Sequence, residues 1–341
     1  MAHPKKLFLL LLVGCLMLMA AAQVSARSHH AGQAQAPLQC VAFSPYVGNI
    51  NPDYGPPPSA ALIDKLLDSL VKHTPFRCIM TYGVLNGLDH TFAAAKARKM
   101  KVVAILWIDK DSAVNSQSIS EGIKQAKAYP DTIIKLSCGS EVRTRHGYAY
   151  DGEISRCLSS LRQAGIKQPL TTIDTWWEWC NRTMPCGQTS FAAQVDWIGI
   201  NVFPWWESVH SSLHTCIPAE KAADFHIARM AEVQRTYPGK TVAMTEFGWP
   251  SGPEAYIGVN KNTRERCAVA GKKNQAKVLQ ATFNKLIQKG WSGTAFEAFT
   301  ENWKPASEGN VGQYWGLCQG APPYNCIPPL TITGKKTSAS Q

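Results

Sequence analysis

The chain has 341 residues, 45% of them apolar, with no second compositional regime along its length. That suffices to bury one large core in a single domain of barrel size, and it excludes a disordered or low-complexity chain. The formal charge of +11 raises nucleic acid or an anionic surface as partners. The lysines and arginines are spread along the chain and no basic block interleaves with aromatics, so no nucleic-acid partner is expected.

In chain order, Met1 to Lys6 make a basic start, Leu7 to Ala22 an apolar run, and Val24-Ser25-Ala26 a small-residue cleavage site. This pattern predicts a secretory signal over 1–26, and the apolar run is short for a membrane span. Leu12-Val-Gly-Cys15 also resembles a bacterial lipoprotein cleavage box, whose processing would instead place a lipid anchor on Cys15. Residues 27–38 read as a flexible leader, 39–333 as the folded domain and 334–341 as a polar, flexible tail. The expected location is outside the cell membrane: extracellular, periplasmic or cell-wall.

Loss of the signal leaves ten of the eleven cysteines, an even number in a chain bound for an oxidising compartment, so disulfides are expected. Cys180 with Cys186 and Cys318 with Cys326 close short loops and are the natural local pairs. The cysteines are scattered singly, without the close spacing and histidines of a zinc site, so no metal is expected. Asn181-Arg-Thr183 is a glycosylation sequon, with meaning in a eukaryotic host.

Strand patterns fall at Cys40 to Phe43, Arg77 to Thr81, Val102 to Ile108, Thr132 to Leu136, Leu170 to Ile173, Val195 to Val202, Thr241 to Thr245 and Thr294 to Phe299. Helical patterns fall at Ser59 to Lys72, His90 to Lys99, Ser118 to Ala128, Gly152 to Ala164, Ala219 to Tyr237 and Lys272 to Lys289. Strands and helices alternating in this way predict a single α/β domain, a closed (β/α)8 TIM barrel with its active site at the carboxyl ends of the strands.

Two strand ends carry the candidate chemistry. Ile133 to Ser140 is followed by Glu141, and the run from Val242 reaches Glu246 before Phe247-Gly-Trp-Pro-Ser251. A pair of carboxylates at one barrel mouth suits glycoside cleavage: one carboxyl releases the leaving oxygen and the other attacks or stabilises the anomeric carbon. Aromatic residues gather at the same ends, among them Tyr82, Trp107, Trp176, Trp177, Phe203, Trp205, Trp206, Trp249 and Trp303. Sugar rings stack their C–H faces on such rings, which predicts a cleft for carbohydrate. No phosphate-cradling loop or nucleotide fingerprint appears, so no cofactor is expected.

These segments resemble glycoside hydrolase family 17, the β-1,3-glucanases and glucanosyltransferases. Phe43-Ser-Pro-Tyr46, Arg77-Cys-Ile-Met-Thr-Tyr82, Trp197 to Glu207, Glu246-Phe-Gly-Trp-Pro-Ser251, Phe296 to Lys304 and Glu308 to Gly316 carry the likeness, which covers nearly all of the mature chain. The resemblance implies that Glu141 is the general acid/base and Glu246 the nucleophile of a retaining enzyme, with Glu301, Lys304 and Glu308 as a supporting polar cluster. It matches Tyr82 to a tyrosine that hydrogen-bonds the nucleophile. Two positions depart from the pattern. Ser140 stands where an asparagine normally precedes the acid/base and contacts the sugar 2-hydroxyl, which implies slower chemistry, a shifted acceptor preference, or compensation by a nearby side chain such as Asn201. Phe247 stands where a small residue normally follows the nucleophile. About forty residues separate the sixth and seventh strands, enough for one long helix, so the chain resembles the short bacterial and fungal members that lack an extra subdomain. The implied function is a secreted, monomeric enzyme that hydrolyses or transfers β-1,3-glucan, with a glucan-binding protein of weak or lost turnover as the alternative.

Overall fold

The sequence between the first two strands shows how the barrel is built. Ser59 accepts a hydrogen bond from the Leu62 amide and starts helix α1 (Ala60–His73). Ile63, Leu66, Leu67 and Leu70 follow at three- and four-residue spacing, are all buried, and turn one stripe toward the strands. Burial of each such side chain contributes about 1.5–3 kcal/mol. In this computed structural model the described residues are 37–210, 216–304, 306–320, 322, 324–327 and 330–333. The predicted signal over 1–26, Cys15, most of the 27–38 leader and the tail over 334–341 lie outside them. At the leader's end, the Leu38 amide donates to Ser292 Oγ at 3.0 Å.

The strands are β1 (Gln39–Phe43), β2 (Cys78–Thr81), β3 (Lys101–Leu106), β4 (Ile133–Ser140), β5 (Leu170–Thr175), β6 (Trp197–Val202), β7 (Thr241–Phe247), a hairpin of β8 (Ile257–Val259) and β9 (Arg266–Val269), and β10 (Gly293–Ala295). Strands β1 to β7 pair in sequence order, all parallel, and β10 closes the barrel between β7 and β1. The eight-stranded (β/α)8 architecture agrees with the sequence reading. The remaining helices are α2 (His90–Ala97), α3 (Ser112–Ala128), α4 (Val142–His146), α5 (Asp151–Gln163), α6 (Trp176–Trp179), α7 (Pro204–His210), α8 (Ala219–Thr236) and α9 (Lys272–Lys289). Helix α3 begins six residues before its predicted start because Asp111 caps it, accepting from the amides of Ala113 and Val114. The connection from β6 to β7 holds α7 as well as the expected long helix.

Period-two alternation divides the core. Cys40, Ala42, Cys78, Met80, Val103, Ile105, Ile173, Trp197 and Ala243 fill the barrel interior, while Val41, Phe43, Ile79, Val102, Ile200, Val242, Met244 and Phe247 face the helices. All ten described cysteines are paired. Cys180–Cys186 and Cys318–Cys326 form as the spacing predicts, beside Cys40–Cys78, Cys138–Cys157 and Cys216–Cys267. Among the described residues no helix is long and apolar enough to cross a membrane.

The alternation breaks at the start of β4, where Ile134 is an extra residue against β3, and at two places close to the candidate glutamates. On β7, Met244 and Glu246 pair with the consecutive β6 residues Ile200 and Asn201, so Thr245 is an extra residue. On β4, Ser137 and Ser140 pair with Thr171 and Ile173 of β5, again one residue too many. A bulge of this kind re-aims the side chains that follow it. It turns Glu246 to the barrel mouth while both Met244 and Phe247 stay among the helices, where Phe247 packs edge-on to His226 and Phe283. Phe247 is thus a packing residue of the helix layer.

Candidate active site

Asn201 links Glu141 to β7, the strand that carries Glu246. Asn201 lies opposite Glu246 in the strand register, donates from Nδ2 to Glu141 Oε1 at 2.9 Å, and accepts at Oδ1 from Thr245 Oγ1 at 2.8 Å. Its amide is held at both ends, by Glu141 and by Thr245, the residue before Glu246, and it favours ionisation of Glu246 as well. Tyr82, just past β2, donates its hydroxyl to Glu246 Oε1 at 2.8 Å.

Glu141 adopts a left-handed backbone conformation, φ 53° and ψ 32°, at the join of β4 and α4. A non-glycine residue there is strained and persists only where its surroundings hold it. Its own amide donates to the Ile173 carbonyl at 2.8 Å, and its carbonyl accepts from the Arg145 amide at 2.8 Å. Gly139 precedes the turn with φ +82°, and a Cβ there would stand 2.4 Å from Val142 Cγ2. The buried Ser140 offers its carbonyl to the Arg145 guanidinium at 3.2 to 3.3 Å.

Beside Tyr82 lies a buried ion cluster. Lys304 Nζ bonds Glu297 Oε1 at 2.7 Å and Glu301 Oε2 at 3.1 Å, and Ser44 donates to Glu301 Oε1. Glu297 was not singled out from the sequence; its signal was its place beyond the eighth strand, four residues before Glu301. Glu308 belongs to the same electrostatic neighbourhood, where burial raises its pKa and Lys304 opposes the rise.

Burial dominates the proton affinities. It raises Glu141, against the Asn201 hydrogen bond and Arg145. It raises Glu246 to about 8, helped by the charge of Glu141 and opposed by Tyr82, Lys304 and Asn201. The charge of one thus acts on the proton of the other, and the two carboxyls titrate as a coupled pair. Burial pulls Lys304 down, but Glu297 and Glu301 outweigh it and hold the ammonium above the usual lysine range. Burial, then Glu301, pushes Glu297 well up, and the Lys304 ammonium opposes the rise.

A cavity of about 380 Å³ opens here, with Tyr46, Tyr82, Trp107, Trp303, Glu297 and Lys304 among its walls. The Arg145 guanidinium covers one side of the Trp107 ring at 4.4 Å and is fixed by Asp109 at 2.6 Å. Other aromatics expected in the cleft are elsewhere. Trp205 and Trp249 are fully buried against each other at 5.5 Å, in a second core that includes residues of the β8–β9 hairpin, and the Trp249 indole donates to the Val269 carbonyl. Trp176 is buried too, donating to Glu207 Oε1 at 2.9 Å beneath the Arg229 guanidinium. Their neighbours Trp177 and Trp206 are half-buried, as one of each adjacent pair must turn outward. Phe203 packs edge-on between Phe296 and Trp315.

A closed parallel barrel with glutamates at the ends of its fourth and seventh strands is the frame of a (β/α)8 glycoside hydrolase. Residues 40–316 match the model of the BtgE/BtgC glycoside hydrolase domain, and the chain belongs to that family, within glycoside hydrolase family 17. Over 257 residues it is 25% identical to a probable β-glucosidase, btgE, of Aspergillus flavus, an alignment spanning 73% of this chain but only 38% of that protein. Over 232 residues it is 25% identical to a glucan 1,3-β-glucosidase of Arthroderma benhamiae, covering 66% of this chain and 70% of that one. The crystal structure of the family 17 β-1,3-glucanosyltransferase from Rhizomucor miehei superposes with a TM-score of 0.62 at 20% identity, over 87% of this chain and 98% of the other. At that identity the likeness concerns the fold.

Proposed function

We propose that the protein is a secreted retaining glycosidase acting on β-1,3-glucan, with Glu246 as nucleophile and Glu141 as general acid/base. The observation that carries this reading is the convergence of the two glutamates on Asn201, which bonds Glu141 and lies opposite Glu246 in the strand register, with Tyr82 donating to Glu246. In such a mechanism Glu141 protonates the leaving oxygen while Glu246 attacks the anomeric carbon, giving a covalent glycosyl-enzyme. Glu141 then deprotonates the incoming water or sugar hydroxyl, which displaces Glu246. Water yields hydrolysis and a sugar hydroxyl yields a longer glucan. Two of the similar proteins support the substrate: one is named a glucan 1,3-β-glucosidase, and a mutant of the Rhizomucor miehei glucanosyltransferase is described in complex with laminaritriose. Trp107 and Trp303, in the cavity beside the acid cluster, are the stacking surfaces we assign to sugar rings.

Ser140 favours the second reading, a glucan-binding wall protein with weak turnover, because it shortens the side chain that precedes the acid/base. The test is incubation of the mature protein with defined β-1,3-gluco-oligosaccharides, product lengths being followed by mass spectrometry beside Glu246→Gln. Shorter products lost in the variant establish hydrolysis, and longer ones transfer. Unchanged substrate with a folded protein that still binds glucan selects the second reading.

A further inference from the structure

Arg145 of α4 stands four residues after Glu141, and its amide closes the turn on the Glu141 carbonyl at 2.8 Å. Helical side chains point back toward the amino end of their helix, so the guanidinium reaches over the strand ends. There it bonds to four different atoms or rings. Nη1 donates to Asp109 Oδ2 at 2.6 Å and Nη2 to the Ile108 carbonyl at 3.0 Å, while Nε and Nη2 donate to the Ser140 carbonyl at 3.3 and 3.2 Å. The same group lies over the Trp107 ring, 4.4 Å from its centroid. One side chain thus joins Trp107, Ile108 and Asp109, past the end of β3, to the residue that precedes Glu141 on β4.

We propose that Arg145 is a positioning residue that couples the sugar-stacking face of Trp107 to the acid/base: anchored by Asp109, it backs the ring, clamps the Ser140 carbonyl at the turn that presents Glu141, and gives that turn a fixed positive charge. This rests on the roles proposed above for Glu141 and Trp107. Trp107 is 36% exposed and lines the cavity with Tyr82 and Trp303. A ring backed on one face by a guanidinium has its other face left for the C–H face of a sugar, and the contact holds it against rotation. The anchor is itself fixed. Asn115 of α3 is buried; its Oδ1 accepts from the Asp109 amide at 2.8 Å and its Nδ2 donates to the Asp109 carbonyl at 2.7 Å. Burial pushes Asp109 up, but the Lys110 amide, Arg145 and His146 outweigh it and lower its pKa, so Asp109 meets the guanidinium as a carboxylate. A lysine ammonium lacks the planar fork that serves a carboxylate, two carbonyls and a ring at once.

The groups that act on Glu141 come from every neighbouring strand end. Glu246 of β7, Asp174 of β5 and Glu308 of the loop after β10 are carboxyls coupled to its charge. Burial raises Glu141, and the Asn201 hydrogen bond and then Arg145 oppose the rise. Among the described residues, Arg145 is therefore the cation that favours the carboxylate formed once Glu141 has given its proton to the leaving oxygen. The Arg143 guanidinium is turned onto Asp151 and Thr189, and Lys304 onto Glu297 and Glu301. His146 Nε2 lies 2.9 Å from Asp109 Oδ1 and 2.8 Å from Arg145 Nη1, on the anchor side of the guanidinium.

The experiment compares wild type, Arg145→Gln and Arg145→Lys by carboxyl-carbon NMR titration of Glu141 and by pH profiles of kcat/KM on a β-1,3-gluco-oligosaccharide. Trp107→Ala, alone and combined with Arg145→Lys, completes a double-mutant cycle. Loss of the charge in Arg145→Gln raises the Glu141 midpoint and carries the alkaline limb of kcat/KM to higher pH. Arg145→Lys keeps the charge and leaves the limb in place, but KM rises about two- to tenfold, the worth of one stacking contact. Because that loss acts through the ring, Arg145→Lys changes KM by less than about twofold once Trp107 is alanine. An unmoved Glu141 midpoint in folded Arg145→Gln, or full additivity in the cycle, overturns the proposal. If Arg145→Gln does not fold, the cycle on Arg145→Lys decides. Absence of turnover on glucan refutes the enzymatic reading, whereas the Glu141 midpoint, and the cycle run on dissociation constants for the same oligosaccharide, judge Arg145 whether or not glucan is cleaved.

Discussion

Replacing Glu246 by glutamine should abolish turnover and make the protein more stable. In the unfolded chain a glutamate titrates near 4.5, whereas the folded barrel raises Glu246 to about 8 through burial and the neighbouring charge of Glu141. Between those values the native state binds more protons than the unfolded state, so stability falls as pH rises through the window. Each pH unit above the start removes about 1.4 kcal/mol, so at pH 7 an ionisable Glu246 costs the fold about 3 kcal/mol. Glutamine is neutral, nearly isosteric, and keeps an oxygen for the Tyr82 hydroxyl. For a barrel of this size 3 kcal/mol corresponds to about 5 °C in melting temperature. Scanning calorimetry of both proteins from pH 4.5 to 8 should show Glu246→Gln melting higher at pH 7 and the gap closing at pH 4.5. A variant that melts at or below wild type at pH 7 would refute the claim that Glu246 is held at an energetic cost in a buried, like-charged site.

Tyr82→Phe removes the donor to Glu246. A hydrogen bond to a charged group is worth about 1.5–3 kcal/mol, so kcat/KM should fall at least tenfold and its acid limb should move to higher pH; an unmoved limb would show that the phenol does not act on the nucleophile. Gly139→Ala forces a Cβ into Val142 at a positive φ, costing about 1–2 kcal/mol in backbone strain alone. Urea unfolding should register that loss and activity should drop with the displaced Glu141, and a variant equal to wild type in both would refute the close approach. Lys304→Met leaves Glu297 and Glu301 buried without their cation, a loss of about 3–5 kcal/mol that lessens as the pH is lowered and the carboxyls take up protons. A change below about 1 kcal/mol at pH 8 would show that Lys304 is not the counter-ion of the pair.

The barrel and its two strand-end glutamates were legible in the residues because they are local facts. Eight apolar runs separated by amphipathic stretches leave little choice of architecture. Glu141 and Glu246 stand at run ends whatever the register. The two short disulfides were legible for the same reason, since their partners are close in sequence. The contacts that make a site of these residues were not local. Thr245 and the extra residues in β4 are identifiable only against the neighbouring strand, for a bulge is a mismatch between two chains of hydrogen bonds. Trp205 and Trp249 looked like cleft aromatics because they follow strand ends, and the hairpin β8–β9 buries them.

What the sequence determined by itself was the alternation of strand and helix, the family, and which carboxylates end the fourth and seventh strands. Closure of the barrel decided the rest: that Asn201 bonds Glu141 while lying opposite Glu246, and that Lys304 lies between Glu297 and Glu301. The physical reason is separation along the chain. Propensity and periodicity are read within a few turns, whereas each of these contacts depends on the register between neighbouring strands or on the packing of loops at the barrel mouth.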